Sequence, residues 1–191
     1  MEELSDIERY SGSRNMGGNF KRFRFIEVTN VVDVPRYIDD IIEREITLAD
    51  DEDWLGGEVV FETLRFTEKP IGDPGNPSGY TLTLEGEATK NRPALLRNMH
   101  RMEGRRFLIL LQDYNDNLRL IGNLEKDKDG VYKGITMTAP FDSGAKVSDR
   151  NAYAIRFAGQ QPVRAPFYTA EEDDCDMDYV DHDYVDCDYV E

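Results

Sequence analysis

Few side chains in this chain have the types and spacings that covalent chemistry needs. Of its two histidines, His100 and His182, only His100 lies in the body of the sequence. A Ser/His/Asp or Cys/His site would have to be built on it. It falls four residues after Leu96 in a helical pattern, where histidine is ordinarily a surface or half-buried helix residue. Carboxylates recur in close sets: Asp50, Asp51 and Asp53; Glu85 and Glu87; Asp113 and Asp116. A hydrolase needs two carboxyls about 5–10 Å apart in a cleft, and a chain with 39 Asp and Glu residues offers such pairs without one. There is no phosphate-cradling glycine loop, dinucleotide fingerprint or nucleophile elbow. The expectation is a protein that is not an enzyme and takes no cofactor.

The remaining chemistry-bearing residues crowd into the last 21 positions, EEDDCDMDYVDHDYVDCDYVE, with eleven acidic side chains and no Lys or Arg. Asp173, Asp174, Asp176 and Asp178 offer oxygen ligands of the calcium kind, but a calcium loop also wants a glycine for its tight turn and a closing bidentate Glu. Cys175, His182 and Cys187 are soft ligands at spacings that match no standard zinc pattern. No formed metal site is expected. A five-residue unit repeats here as Asp178-Tyr179-Val180-Asp181-His182, Asp183-Tyr184-Val185-Asp186-Cys187 and Asp188-Tyr189-Val190-Glu191. A period of five fits neither strand nor helix, so the Tyr-Val pairs share no face. Mutual repulsion of the carboxylates predicts a solvated, disordered appendage. Its alternating acids and aromatics make Asp178, Tyr179, Asp183, Tyr184, Asp188 and Tyr189 candidate interaction residues for a basic or aromatic-lined partner.

Separated from this tail, the body is ordinary. The tail carries −11 of the formal charge of −16, leaving −5 on residues 1–170. Both cysteines are in the tail, so the body folds without disulfides, which fits a reducing compartment. No apolar run approaches the length of a membrane span, and residues 1–18 are polar, without the apolar stretch of a signal peptide. Charge does not encourage direct nucleic-acid binding by the body. The organisation expected is a flexible segment at 1–17, one domain at 18–170 and the acidic tail at 171–191.

The domain reads as mainly β. Strands are expected over Phe20–Val28, with the basic run Lys21-Arg22-Phe23-Arg24 lying along its solvent face, and over Glu58–Phe66, Tyr80–Glu85, Leu118–Ile121, Val131–Ala139 and Ala152–Ala158. Phe107–Leu111 is apolar on both alternating faces, the mark of a central strand covered on each side. One helix is expected over Arg92–Glu103: Pro93 sits in the first turn, Leu95, Met99 and Met102 share one face, and Gly104 is placed to end it. Tyr37–Arg44 is a weaker helix, or a strand running on to Leu48. Thr67–Gly79 holds three prolines and three glycines between two strands and is predicted to be a long hairpin loop. Its tip, Asp73, Pro74, Gly75 and Asn76, is a candidate interaction site. Together these elements predict an antiparallel β-sandwich or partly open barrel with one flanking helix.

The order of elements in the second half carries a resemblance. Arg105-Arg106-Phe107-Leu108-Ile109-Leu110-Leu111-Gln112-Asp113 leads to Leu118-Arg119-Leu120-Ile121-Gly122-Asn123. Phe141-Asp142-Ser143-Gly144-Ala145-Lys146-Val147-Ser148-Asp149-Arg150-Asn151-Ala152-Tyr153 follows, and the body closes on Arg164-Ala165-Pro166-Phe167-Tyr168. This resembles small virion structural proteins of tailed bacteriophages and prophages, of the tail-tube or tail-associated type. The likeness covers the last third to half of the body. Ala152 stands where such sequences often carry Gly, and the acidic repeat is no part of the pattern. The resemblance implies a β-sandwich subunit that assembles with itself into rings, often hexameric, that stack into a tube with other virion proteins. DNA would pass through that tube without specific binding and with no membrane involved. It implies a protein folded in the bacterial host cytoplasm and located in the virion. The competing expectation is a non-enzymatic binding module whose acidic tail docks a basic partner or mimics DNA.

Overall fold

A computed structural model describes residues 17–73, 75–89, 92–143 and 151–170. Fourteen strands and one α-helix run in chain order: β1 (Arg22–Glu27), β2 (Val31–Asp33), β3 (Ile41–Ile42), β4 (Thr47–Leu48), β5 (Leu55–Glu58), β6 (Arg65–Asp73), β7 (Asn76–Thr89), α1 (Pro93–Met102), β8 (Arg106–Gln112), β9 (Leu118–Ile121), β10 (Asn123–Lys126), β11 (Tyr132–Thr138), β12 (Phe141–Asp142), β13 (Ala152–Gln161) and β14 (Phe167–Tyr168). A single 3-10 turn, Val28–Asn30, follows β1. The acidic tail, and with it the candidate residues Asp178, Tyr179, Asp183, Tyr184, Asp188 and Tyr189, lies outside the described residues, as does Pro74.

The mainly β expectation holds, and the finer architecture differs from it. Twelve strands form one sheet along the path β3-β14-β9-β8-β11-β13-β7-β6, with β1 and β5 joined through β8, β10 on β11 and β12 on β13; β2 and β4 pair separately. The sheet is mixed, because β14 runs parallel to β3 with Phe167 opposite Ile41 and Tyr168 opposite Ile42. Those partners are more than a hundred residues apart, so no hairpin turn dictates their direction. The sheet does not close into a barrel. Just after β5 the β1–β5 branch is linked to β7, where Val59 N–H donates to the Lys21 carbonyl at 2.9 Å and Val60 N–H to the Glu87 carbonyl at 2.8 Å.

Strand β8 divides the interior. Phe107, Ile109 and Leu111 point into one core, with Phe23, Phe25, Leu82, Leu84, Ile135, Met137 and Phe157. Leu108 and Leu110 point into the other, with Ile26, Val28, Ile42, Ile46, Leu120, Tyr132 and Tyr168. The double-faced apolar run therefore does what its composition demands: both faces of a central strand are covered. In the first core the rings of Phe23, Phe107 and Phe25 meet those of Phe157 and Phe107 edge-on, at centroid distances of 5.7–5.9 Å. Such pairs add about 0.5–1.5 kcal/mol each beyond area burial. Helix α1 covers this core with Met99 buried and Leu95 and Met102 half-buried against it, and Gly104, at φ 75°, ends it.

Two strands switch partners to join the layers. β9 and β10 are one strand kinked at Gly122, pairing first with β8 and then with β11. β11 meets β10 at Gly134, β8 at Ile135 and Thr136, and β13 from Thr136 onward. Gly134 stands at the changeover with φ 54°, and a Cβ there would lie 2.6 Å from Val28 Cγ1 and 2.7 Å from the Phe107 carbonyl oxygen.

Two local expectations are corrected. Tyr37–Arg44 is not a helix. Asp39 and Asp40 both take positive φ, 51° and 62°, and Ile38 and Ile41 exchange both backbone hydrogen bonds, at 3.0 and 2.9 Å. That is the two-residue turn whose central residues both need φ > 0. Glu58–Phe66 is not one strand. A turn interrupts it at Val60–Thr63, with Glu62 at φ 62° and Thr63 N–H donating to the Val60 carbonyl. The interruption lets Val59 and Leu64 both enter the first core while Phe61 stays exposed.

The turn after β10 gives a pH dependence. Arg106 Nη1 donates to Asp127 Oδ2 at 3.0 Å, and the N–H groups of Val131 and Asp129 donate to Oδ1. The guanidinium above all, opposed by partial burial and helped by the two amides, holds the Asp127 carboxyl below its ordinary value of 3.8. A carboxyl with a lowered folded pKa stabilises fully above its unfolded value and loses that contribution as pH falls through the folded one. Denaturant midpoints measured from pH 6 downward are expected to fall below about pH 4, and Asp127→Asn to flatten that limb. An identical acid limb in the variant would remove Asp127 as its source.

Candidate interaction site

The predicted loop over Thr67–Gly79 is strand almost throughout. β6 and β7 pair from Arg65 opposite Glu85 to Asp73 opposite Asn76, with a register shift between Ile71 and Gly72. The prolines are compatible with pairing because of where they stand. Pro70 is on β6, an edge strand whose outer side has no partner among the described residues. Pro77 lies beyond the last residue of β7 that pairs with β13. A missing N–H costs a ladder bond only where a neighbour would have accepted it. The glycines have their own uses: Gly72, at φ 90°, sits at the register shift as in a β-bulge.

What results is an arm. β13 accompanies β7 only from Thr89 to Tyr80, whose partner is Gln161. Residues 71–79 continue as two strands alone, about 13 Å past the sheet at ~3.3 Å per residue. At the tip Asp73 Oδ1 accepts the Gly75 N–H at 2.9 Å, and behind it Ser78 Oγ donates to the Ile71 carbonyl at 3.2 Å. The sequence-derived candidates Asp73, Gly75 and Asn76 are thus brought together and exposed. Asp73 also serves the turn itself, holding it as an Asx turn.

The base of the arm is tied down by a hub that sequence reasoning missed. Glu68 of β6, only 10 % exposed, accepts the Ala165 N–H at 2.6 Å through Oε1, while its Oε2 lies 3.8 Å from Arg119 and 3.7 Å from Arg164. Each arginine also lies over a ring: Arg119 over Phe167 at 4.2 Å and Arg164 over Tyr80 at 4.9 Å. One carboxylate therefore joins β6, β7, β9, the 162–166 loop and β14, the strand from which the tail departs. Gly79 sits so close to Gln161 that an added Cβ would be 2.7 Å from its carbonyl oxygen. The hub's members are far apart in sequence, up to 97 residues between Glu68 and Ala165, and Glu68 lies in a stretch that reads locally as loop, so no local signal announced it.

The chemistry candidates are dispersed. His100 is exposed on α1. Asp53 Oδ1 accepts its neighbour's N–H, from Trp54. Asp113 Oδ1 accepts the N–H groups of Asn115 and Asn117 in the β8–β9 turn. Glu85 faces Arg156 across the β7–β13 ladder at 3.4 Å. Among the described residues no group of three or more His, Cys, Asp or Glu is placed to hold a metal ion, and no helix is long and apolar enough to cross a membrane. A pocket of about 510 Å³ between β2, β3 and β4 is lined by Asp33, Arg36, Ile38, Glu43, Arg44 and Glu45 among others and gathers no catalytic set. Comparison of the chain with family models, with curated proteins and with solved structures returns no match.

Proposed function

We propose that this chain is a structural subunit that assembles with copies of itself, and that the β6–β7 arm is the element that reaches the next copy. The observation that carries this reading is the arm's projection: nine residues, 71–79, run past the last rung shared with β13. An isolated pair of strands is marginal in water. Its free edge presents unpaired N–H and C=O groups that another chain can satisfy. The hub at Glu68 supports the reading, because an anchored base lets the arm meet a partner without first paying to be ordered.

The type of assembly follows from the resemblance to tailed-phage virion proteins: a ring or stacked tube, in the tail or its connector, through which DNA passes. A head-to-tail contact of arm on neighbour is heterologous, and such contacts close into rings when the rotation permits. Six copies of an eleven-acid tail along a lumen would repel phosphate rather than bind it. The purified full chain, followed by multi-angle light scattering from low to high concentration and by negative-stain imaging, is expected to show discrete rings or stacked tubes. A monomer at every concentration would overturn the proposal.

A further inference from the structure

Helix α1 turns two kinds of surface outward. Its inner side is Leu95, Met99 and Met102. Its outer side presents Arg97, His100 and Arg101, with Leu96 40 % exposed at the shoulder and Arg92 just before the first turn. The basic residues that follow the helix are neutralised: Arg105 meets Glu27 at 2.8 Å and Arg106 meets Asp127 at 3.0 Å. Those on the helix are not. Among the described residues no ion pair or hydrogen bond engages the side chains of Arg92, Arg97 or Arg101. The nearest acid in sequence, Glu103, turns its Oε1 toward the Ala139 N–H at 3.3 Å. Arg97 and Arg101 stand one turn apart, where like charges repel. Among the described residues this cationic helix face has no counter-charge, in a chain of net charge −16.

We infer that this face is the docking surface for the chain's own acidic tail, residues 171–191. The tail supplies eleven carboxylates and no cation. Its root is fixed, since Tyr168 is buried in the second core and Thr169 N–H donates to the Ile42 carbonyl at 2.9 Å. Twenty-one residues reach about 70 Å when extended, against a radius of gyration of about 15 Å for a domain of this size. Every surface of the domain is within range, α1 included. The spacings match as well. Acids two residues apart in an extended chain, such as Asp176 and Asp178 or Asp181 and Asp183, are about 6.6 Å apart, and Arg97 and Arg101 are separated by about 6 Å along the helix. Tyr179, Tyr184 and Tyr189 provide rings for the guanidinium groups, the contact already made in the body by Arg119 on Phe167 and Arg164 on Tyr80. The Tyr-Val pairs provide apolar cover for Leu96. Tethering supplies an effective concentration in the millimolar range, so weak individual contacts suffice. In this arrangement the tail is an intramolecular stand-in for a polyanion and withholds the helix face from nucleic-acid phosphates.

The chain's two cysteines, Cys175 and Cys187, make the test direct because both are in the tail. In full-length protein, Cys175→Ser leaves Cys187 alone. Ala94→Cys then places a second thiol on the outer side of α1, and Glu45→Cys places one at an exposed control site. The control favours simple proximity, because Glu45 is three residues from Ile42, which pairs with the tail's root at Tyr168. A short bismaleimide is expected to link Cys187 to the Ala94→Cys position within one chain at least threefold faster than to the Glu45→Cys position at low salt. The difference should vanish at 1 M salt, where the screening length falls to about 3 Å. Adding Arg97→Glu and Arg101→Glu to the Ala94→Cys protein should bring its rate down to the control, with circular dichroism checking that the fold survives. The salt series needs neither reversal and decides by itself if they unfold the helix. Equal rates at low salt, a preference indifferent to salt, or linkage only between chains would each overturn the inference. So would protection of the Ala94→Cys thiol by short duplex DNA with tail linkage at the control rate, which would assign the face to phosphates.

Discussion

Gly134→Ala is expected to lower the folding stability by about 2–5 kcal/mol, from ~1–2 kcal/mol for a side chain in the left-handed region and ~1–3 kcal/mol for overpacking. The backbone there has φ 54°, and the new Cβ would meet Val28 Cγ1 at 2.6 Å and the Phe107 carbonyl oxygen at 2.7 Å. Neither neighbour can withdraw cheaply. Val28 is 2 % exposed within the second core, and the Phe107 backbone belongs to β8, the strand both cores share. With domains typically stable by about 5–15 kcal/mol, the loss is a large fraction of the whole. Gly130→Ala provides the internal reference. Gly130 has φ 79° but nothing within 4 Å of its added Cβ, so it carries the backbone cost alone. Urea denaturation of both variants separates the two contributions. If Gly134→Ala is no more damaging than Gly130→Ala, the close approach of β11 to β8 at that point is not a constraint.

Shortening the arm is expected to weaken self-assembly at least tenfold while leaving the domain folded. Replacing Ile71–Ser78 by a single Asn sets an Asn-Gly79 turn directly on the Pro70–Tyr80 rung, a sequence suited to a two-residue hairpin. The excised residues contribute no fully buried side chain; Ile71 is half-buried and its neighbours to Ser78 that are described are exposed. The stability change should stay within about 1 kcal/mol, as for surface changes generally. The association constant should fall at least tenfold by light scattering. Rings or tubes that persist with the short hairpin would move the contact elsewhere on the surface. Loss of the fold would instead show that the arm steadies the Glu68 hub.

The strands legible in the sequence are those whose faces are decided locally. Tyr80, Leu82 and Leu84 alternate with Thr81, Thr83 and Glu85, and the structure buries Leu82 and Leu84 and leaves Glu85 exposed. Leu95, Met99 and Met102 lie at helical spacing and pack on the core. The misread segments are those where a turn inside an apolar run is invisible to periodicity. Phe61-Glu62 lacks the Gly, Asn, Asp or Pro that usually marks a turn, and Asp39-Asp40 is a turn-forming pair set among isoleucines whose spacing also suits a helix; three of these four residues take positive φ.

The candidate site shows the division most clearly. Legible in the sequence were the concentration of acidic charge in residues 171–191, the need to cover β8 on both faces, and the turn chemistry of Asp73, Gly75 and Asn76. They were legible because charge, alternation and turn chemistry are properties of neighbouring residues. Strand neighbours in three dimensions make Thr67–Gly79 a paired arm rather than a loop, bring Arg119 and Arg164 to Glu68 at its base, and set β14 parallel to β3. The cost of a proline in a strand depends on whether a partner stands on its N–H side. The ionic hub depends on contacts between residues far apart in the chain, Glu68 with Arg119, Arg164 and Ala165. Both are set by which strands become neighbours, and no local pattern encodes that.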